Sequence, residues 1–164
     1  MMKQTGVPNT EDIQGILPSP ERLAKGPVAI IECFENIPCN PCYTACKFEA
    51  IQEFADINDR PNIDFEACNG CGLCVSACPG LAIFVVDQTY SETEAVVQIP
   101  YELLPLPEKG QEVIALDRSG REVAKARVVK VRKTKNLTAV VSLAVPKEHS
   151  LQVRFFRTER THER

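Results

Sequence analysis

The sequence predicts an α+β protein in which a cysteine-rich module is followed by a small all-β barrel or sandwich. Three observations predict this class. All eight cysteines lie between Cys33 and Cys78, where the chain repeats itself. After residue 94, short apolar stretches alternate with turn residues, as in short antiparallel strands. Residues 1–110 hold 6 Lys/Arg against 16 Asp/Glu, whereas residues 111–164 hold 13 against 6, and these opposite charges indicate two modules.

Length and composition exclude several classes of protein. The chain has 164 residues, of which 44% are hydrophobic and 25% charged, so it is expected to fold. No apolar run approaches the roughly 20 residues that span a bilayer. The first six residues do not form a secretory signal. We therefore expect a cytoplasmic protein without membrane insertion.

Residues 1–27 are predicted to be an N-terminal arm with two short helical turns. Prolines and glycines interrupt any longer element. Asn9 is placed to cap a helix over residues 10–16, and Ser19 precedes Pro20, which suits the first position of a second helix. The arm is either a partly ordered leader or a strap that orders on a partner.

An internal repeat organises the cysteine-rich module, which we place at residues 28–87. Residues 28–32 and 82–86 are predicted as the strands that enter and leave it. Between them, six positions coincide at an offset of 32 residues, which predicts a duplicated unit with a pseudo-twofold axis. The coinciding pairs are Cys39/Cys71, Cys42/Cys74, Cys46/Cys78, Ala45/Ala77, Ala50/Ala82 and Ile51/Ile83.

The second cysteine set has the spacing Cys-x2-Cys-x2-Cys-x3-Cys-Pro. This spacing is typical of bacterial four-iron four-sulfur sites, in which the fourth cysteine ligates the other cluster when two are present. One tight loop presents three thiolates to a cubane, and the fourth points away on the next helical turn. Gly70 and Gly72 let the loop backbone approach the inorganic sulfurs. The set comprises Cys68, Cys71, Cys74 and Cys78.

The first cysteine set is irregular, with the spacing Cys-x5-Cys-x2-Cys-x3-Cys. By the repeat offset, Asn36 takes the place of Cys68, and the missing thiol lies three residues upstream. The spacing implies a longer first loop. The two sets together supply eight thiolates, enough for two clusters. The first set comprises Cys33, Cys39, Cys42 and Cys46.

Disulfides and zinc are the alternative uses of these cysteines. A disulfide framework needs an oxidising compartment, and no signal peptide supports one. A zinc site built from Cys39 and Cys42 with Cys71 and Cys74 leaves four thiols unused, and both histidines lie far downstream. Iron–sulfur chemistry therefore fits the spacing best.

Residues 61–74, PNIDFEACNGCGLC, are very similar to the second half of bacterial two-cluster ferredoxins, and residues 28–87 resemble the whole of such a domain. The resemblance implies two β-hairpin and helix units around two 4Fe-4S clusters. It also implies the ligands: Cys33, Cys39, Cys42 and Cys78 for cluster 1, and Cys68, Cys71, Cys74 and Cys46 for cluster 2.

Residues 17–27, LPSPERLAKGP, and residues 31–34, IECF, resemble the small iron–sulfur subunits of multisubunit FAD-dependent dehydrogenases of proline-like and opine-like amino acids. The resemblance implies a hetero-oligomer in which the chain relays single electrons from FAD or FMN on a dehydrogenase subunit. A stand-alone ferredoxin with an appended β domain is an alternative. No catalytic set stands out, so we expect the chain to be non-catalytic by itself.

We place a linker at residues 88–94, a small β domain at 95–157 and a polar tail at 158–164. Five strands are predicted, and the adjacent Val128 and Val129 break the apolar alternation of the third, which indicates a bulge. The predicted strands cover residues 95–99, 113–116, 123–131, 138–145 and 151–156.

A row of basic residues lies on the outward face of the third of these strands. Such a row is a solvated face or a dock for an acidic partner. A redox-responsive binding protein whose basic β domain holds nucleic acid or an acidic partner is a further alternative, although no aromatic residues interleave the row as nucleic-acid binding would favour. The row comprises Lys125, Arg127, Lys130, Arg132, Lys133 and Lys135.

Several apolar side chains near the cysteines are predicted to shield the clusters from water. Tyr43, next to Cys42, either contacts a cluster or packs against the protein, and packing is the simpler interpretation. The shielding residues are Ile37, Phe48, Ile51, Phe65 and Ile83.

Overall fold

A computed structural model describes residues 5–158, so the predicted polar tail lies outside the described residues except for Thr158. The architecture is one seven-stranded antiparallel sheet in the order β1-β2-β3-β6-β5-β4-β7, with short helices packed against both of its faces. The strands are β1 Val28–Ile31, β2 Ile83–Asp87, β3 Glu94–Tyr101, β4 Glu112–Leu116, β5 Glu122–Arg132, β6 Ala139–Pro146 and β7 Phe155–Arg157.

The described residues include four short α-helices, and the two in the arm begin at the capping residues that the sequence predicts. The Asn9 side chain accepts from the backbone of Asp12 in a capping box, and Ser19 caps the next helix ahead of Pro20. Both helical turns predicted for the arm are therefore confirmed. The helices are α1 Thr10–Gln14, α2 Pro20–Leu23, α3 Pro41–Ala45 and α4 Leu73–Ala77, and a 3-10 turn covers Lys147–His149.

The internal repeat has a structural counterpart. Helices α3 and α4 have the same length and are related by the offset of 32 residues. Glu49 and Leu81, which share that offset, both have left-handed backbones, with φ of 54° and 53°. Side chains other than glycine rarely adopt this conformation, so its recurrence indicates that both copies of the unit turn the chain in the same way.

The β region continues the sheet of the cysteine-rich module. The sequence predicts a separate barrel or sandwich, whereas β2 pairs with β3 and thereby joins the two regions in a single sheet. The bulge is confirmed, because the register of β5 against β6 shifts between Val128 and Lys130. The last predicted strand is shortened, since a 3-10 turn and loop precede β7.

Strands β1 and β2 present a buried face on each side, because successive side chains of a strand point in opposite directions. Val28 and Val86 face the large apolar core that the rest of the sheet encloses. Ala29 and Val85 face the other way, into the smaller core that contains the cysteines. The two strands therefore fix the cysteine-rich part directly against the β part.

Ion pairs join β1 to the far edge of the sheet. Glu32, just after β1, accepts from Arg118 Nη2 at 2.6 Å and from Arg154 Nε at 2.5 Å. Burial lowers the pKa of Arg154 to about 10, and Glu32 opposes that shift. Burial raises the pKa of Glu32, but the two arginines outweigh it and leave that pKa lowered. A charged carboxylate between two guanidiniums therefore links the residue after β1 to the segments next to β4 and β7.

Among residues 5–158, no helix has the length and apolar character needed to cross a membrane.

Candidate metal centre

The eight cysteines lie around two separate cavities, four at each. None of them forms a disulfide. Apolar side chains complete both linings, with Ile51 and Ile63 in the first and Ile31 and Ile83 in the second. The first cavity is lined by Cys46, Cys68, Cys71 and Cys74. The second is lined by Cys33, Cys39, Cys42 and Cys78.

Each cavity takes its fourth cysteine from the other repeat. Cys46 and Cys78 directly follow α3 and α4 and adopt extended backbones, with ψ of 97° and 113°. The chain thus leaves the helix at that residue. The side chain then lines the cavity opposite to the one that its own loop surrounds.

Cys33 occupies an irregular position at the end of β1, and the structure brings it to the second cavity. Burial raises its pKa, as do the nearby thiols of Cys78 and Cys39. Asn36, the repeat equivalent of Cys68, does not line that cavity and donates instead to the Asn58 carbonyl at 3.1 Å.

Burial has a strong effect on two of the thiols. It raises the pKa of Cys42 to about 11 and that of Cys74 to about 12. Neighbouring thiols of the same cavity add to both shifts. Such groups stay protonated at neutral pH unless a bound cation compensates the thiolate, so metal binding here would release protons.

Backbone N–H groups donate to three of the cysteine sulfurs. Ile51 donates to Cys46 Sγ at 3.5 Å, and Ala82 donates to Cys78 Sγ at 3.4 Å. Ala29 donates to Cys68 Sγ at 3.4 Å. Hydrogen bonds of this kind stabilise a thiolate and raise the reduction potential of a cluster that it ligates.

In the loop around the first cavity, Pro27 leaves no room for a side chain at Gly70, and the left-handed backbone disfavours one at Gly72. A Cβ at Gly70 would lie 2.5 Å from Pro27 Cβ, and one at Gly72 would lie 2.3 Å from Gln98 Oε1. Both glycines also have left-handed backbones, with φ of 69° and 75°. Four thiols, an apolar lining and a closely approaching loop fit a group that is ligated by four thiolates.

Arg22 fastens the arm to this loop. Its guanidinium is buried and donates to the carbonyls of Phe65 and Cys68, both at 2.5 Å. It also donates to the carbonyls of Gly26 and Pro27, both at 3.0 Å. The arm is therefore packed against the loop of the first cavity. Sequence reasoning missed Arg22, because nothing local distinguishes it from an exposed arginine of a short helix.

The predicted shielding residues divide into three groups. Ile51 and Ile83 are buried and line one cavity each. Phe48 and Ile37 line the same cavities, but they remain 48% and 46% exposed. Phe65 lines neither cavity and packs against the large core instead. Each cavity thus has one fully buried shielding side chain and one that is about half exposed to solvent.

Tyr43 packs as the simpler interpretation predicts. It lines neither cavity and makes an edge contact with Phe54, with the ring centroids 6.3 Å apart.

The zinc arrangement weighed from the sequence does not match the placement of its cysteines. Cys39 and Cys42 line one cavity, whereas Cys71 and Cys74 line the other. Within the part of the chain that the structure describes, no three His, Cys, Asp or Glu side chains are grouped to hold a single metal ion.

Comparison with known proteins identifies the cysteine-rich region. Residues 61–84 match the 4Fe-4S binding domain family. The chain is 38% identical over 59 residues to the ferredoxin-type protein NapF of Haemophilus influenzae, covering 35% of this chain and 34% of the relative. It is 43% identical over 59 residues to the pyruvate synthase subunit PorD of Methanocaldococcus jannaschii, covering 36% of this chain and 66% of the relative.

The chain thus spans about a third of one curated relative and just under two thirds of the other. No solved structure matches it. The matches confirm that the chain contains a ferredoxin-type 4Fe-4S domain, as the cysteine spacing predicts.

Proposed function

We propose that the chain is an electron-transfer subunit that holds two 4Fe-4S clusters and relays single electrons from a flavoprotein dehydrogenase to another centre or carrier. Cluster 1 is ligated in the second cavity and cluster 2 in the first. The observation that carries the proposal is the division of eight cysteines into two groups of four, each in its own apolar cavity. The ligands are Cys33, Cys39, Cys42 and Cys78 for cluster 1, and Cys46, Cys68, Cys71 and Cys74 for cluster 2.

With four thiolates from each cavity, a bound cubane would have no iron with an open coordination position. A bound cubane therefore supplies one-electron transfer and no substrate chemistry. The protein contributes the exclusion of water, the N–H bonds to sulfur and the fixed separation between the cavities. Cys46 and Cys78 each follow the helix of one repeat and line the cavity of the other, so the two cavities are close together. Two adjacent clusters would suit a relay.

The partner is proposed from the sequence resemblance and from the large part of the chain that lies outside the cluster-binding module. Residues 28–87 would carry the electrons. Residues 95–157 would support this cluster-binding module and offer surface to other subunits. One relative is named as a subunit of pyruvate synthase, which supports the idea that such domains work inside larger oxidoreductases. We place the flavin, FAD or FMN, on a dehydrogenase subunit of a hetero-oligomer.

Anaerobic purification from cells that make the chain tests this function. We expect a flavin-containing dehydrogenase to co-purify in a fixed ratio. Adding the dehydrogenase's substrate should reduce the flavin first and the clusters next, because electrons reach the clusters only through the flavin. Absorption and EPR spectra of the purified complex would follow both steps. Isolation of the chain as a stable monomer that no flavoprotein accompanies would contradict the subunit role.

A further inference from the structure

We propose that residues 133–138, the basic turn between β5 and β6, dock an acidic redox protein and make cluster 2 the site of electron exchange with it. This inference rests on the proposed function and assigns it a surface. It concerns only the partner that meets cluster 2, leaving open which surface the dehydrogenase occupies.

The basic turn lies against the helix that contributes Cys74 to the first cavity. Arg132, immediately before the turn, donates from Nη2 to the Gly72 carbonyl at 2.9 Å. Asn136, within the turn, donates to the Ser76 carbonyl. The turn therefore contacts α4 at both ends, and a protein bound to it would come close to the ligands of cluster 2.

Cluster 2 also has the most accessible of the eight proposed ligands. Among the eight cysteines, Cys71 is exposed, whereas the others are half-buried or buried. Cys71 directly precedes Gly72, whose carbonyl Arg132 contacts. The most accessible ligand thus lies at the border of the basic turn.

The turn carries positive charge that the protein does not neutralise. Lys133 and Lys135 are exposed, and neither forms an ion pair with any residue that the structure describes. Arg127, lower on the same strand, is paired with Glu94 at 3.4 Å. Arg121 and Lys125, towards the other end of β5, are also exposed and form no ion pair among the described residues, so the basic turn is distinguished by its contact with α4 and not by its charge alone.

Apolar side chains lie at the same end of the sheet. Leu137 is 87% exposed and Leu104 is 86% exposed. The loop containing Leu104 follows β3, whose last residue, Tyr101, pairs with Ala139 directly after the basic turn. The Thr138 hydroxyl donates to Glu102, which ties that loop to the turn. Two exposed leucines thus lie at the end of the sheet that carries Lys133 and Lys135, together with the carboxylate of Glu102.

Charge complementarity determines the occupant that we propose. A basic turn attracts a protein with an acidic surface, and steering of this kind raises association rates by roughly 10- to 1,000-fold at low salt. Single-stranded nucleic acid would need aromatic side chains for stacking, and residues 133–138 contain none. An acidic redox protein therefore fits the surface better than single-stranded nucleic acid does, and duplex DNA is tested as a competitor below.

The experiment compares two charge reversals of equal size. K133E/K135E reverses the basic turn, and R121E/K125E reverses two exposed residues towards the other end of β5. Lys125 and Arg132 are about 23 Å apart along the strand at roughly 3.3 Å per residue. The probe is a reduced flavodoxin with a strongly acidic surface, mixed anaerobically with the cluster-loaded chain in a stopped-flow instrument.

We expect the wild-type rate constant to fall as salt is added. K133E/K135E should lower it about tenfold or more at low salt, and R121E/K125E should change it less than about twofold. Iron content should be the same in all three proteins. Equal slowing by both variants, or a wild-type rate that salt does not change, would overturn the proposal, as would duplex DNA displacing the flavodoxin.

Calorimetric titration with oxidised flavodoxin separates the two proposals. Binding that depends on the basic turn without any electron transfer would contradict the relay function and leave the docking surface standing. Electron transfer at the same rate in both double variants would contradict the docking surface and leave the relay function standing.

Discussion

Replacement of either Cys46 or Cys78 by serine is expected to remove one cluster and leave the other, so that each variant retains about four irons per chain. Each residue contributes its sulfur to the cavity of the opposite repeat. Serine is a poor iron ligand, and the three remaining thiolates would leave an open corner on the cubane. Iron analysis together with EPR of the reduced protein measures the loss. Ser76→Ala on the neighbouring helix is the matched control and should retain all the iron.

Double variants test the crossing of ligands, in which Cys46 and Cys78 each bind the cluster of the opposite repeat. Under the proposed ligand sets, C46S combined with C71S damages one site twice and should lose no more iron than either single change. C46S combined with C39S damages both sites and should lose nearly all of it. The reverse pattern would mean that each repeat binds its own cluster, which would contradict the crossing.

Replacement of Arg22 by alanine is expected to destabilise the cluster-loaded protein by about 3 kcal/mol or more. The change leaves four carbonyls without their donor, including the carbonyl of Cys68. It also releases the arm from the loop of cluster 2, so this cluster should be lost first on heating. Thermal unfolding under anaerobic conditions, followed by EPR, measures both effects.

Two further variants accompany this prediction. Arg22→Lys should recover only part of the stability, because one ammonium cannot reach four carbonyls in different directions. Lys25→Ala removes the exposed pair with Glu66 from the end of the same arm and should cost less than about 1 kcal/mol. If Arg22→Ala were no more destabilising than Lys25→Ala, the conclusion that Arg22 fastens the arm to the loop would be wrong.

The features predicted correctly from the sequence are local. Asn9 and Pro20 specify helix starts through neighbouring backbone groups, and the bulge near Val128 follows from a break in alternation. The cysteine spacing works in the same way, because a loop of a few residues can present only certain thiols to one site. The match of residues 61–84 to the 4Fe-4S binding domain confirms that prediction.

The features that sequence reasoning missed join distant parts of the chain. Arg22 donates to a carbonyl 46 residues away, and Glu32 binds Arg154, which lies 122 residues away. The contact between Arg132 and Gly72 spans 60 residues. Each of these arginines has an ordinary local sequence, so only the tertiary structure distinguishes it from a solvated charge.

The same limit explains the continuous sheet. The alternation of apolar residues predicts strands, but it does not specify which strand pairs with β2. The pairing of β2 with β3 makes β1 and β2 common to both regions, and this buries both of their faces. Their apolar runs, VAII in β1 and IFVV in β2, carried that signal as strands with two buried faces.

Reductive titration of the anaerobically prepared chain, with iron analysis of the same sample, tests the central claim most directly. We expect about eight irons per chain and the uptake of two electrons in one-electron steps, with EPR signals that broaden as the two reduced clusters interact. About four irons with a single one-electron step, or zinc in place of iron, would contradict the two-cluster relay.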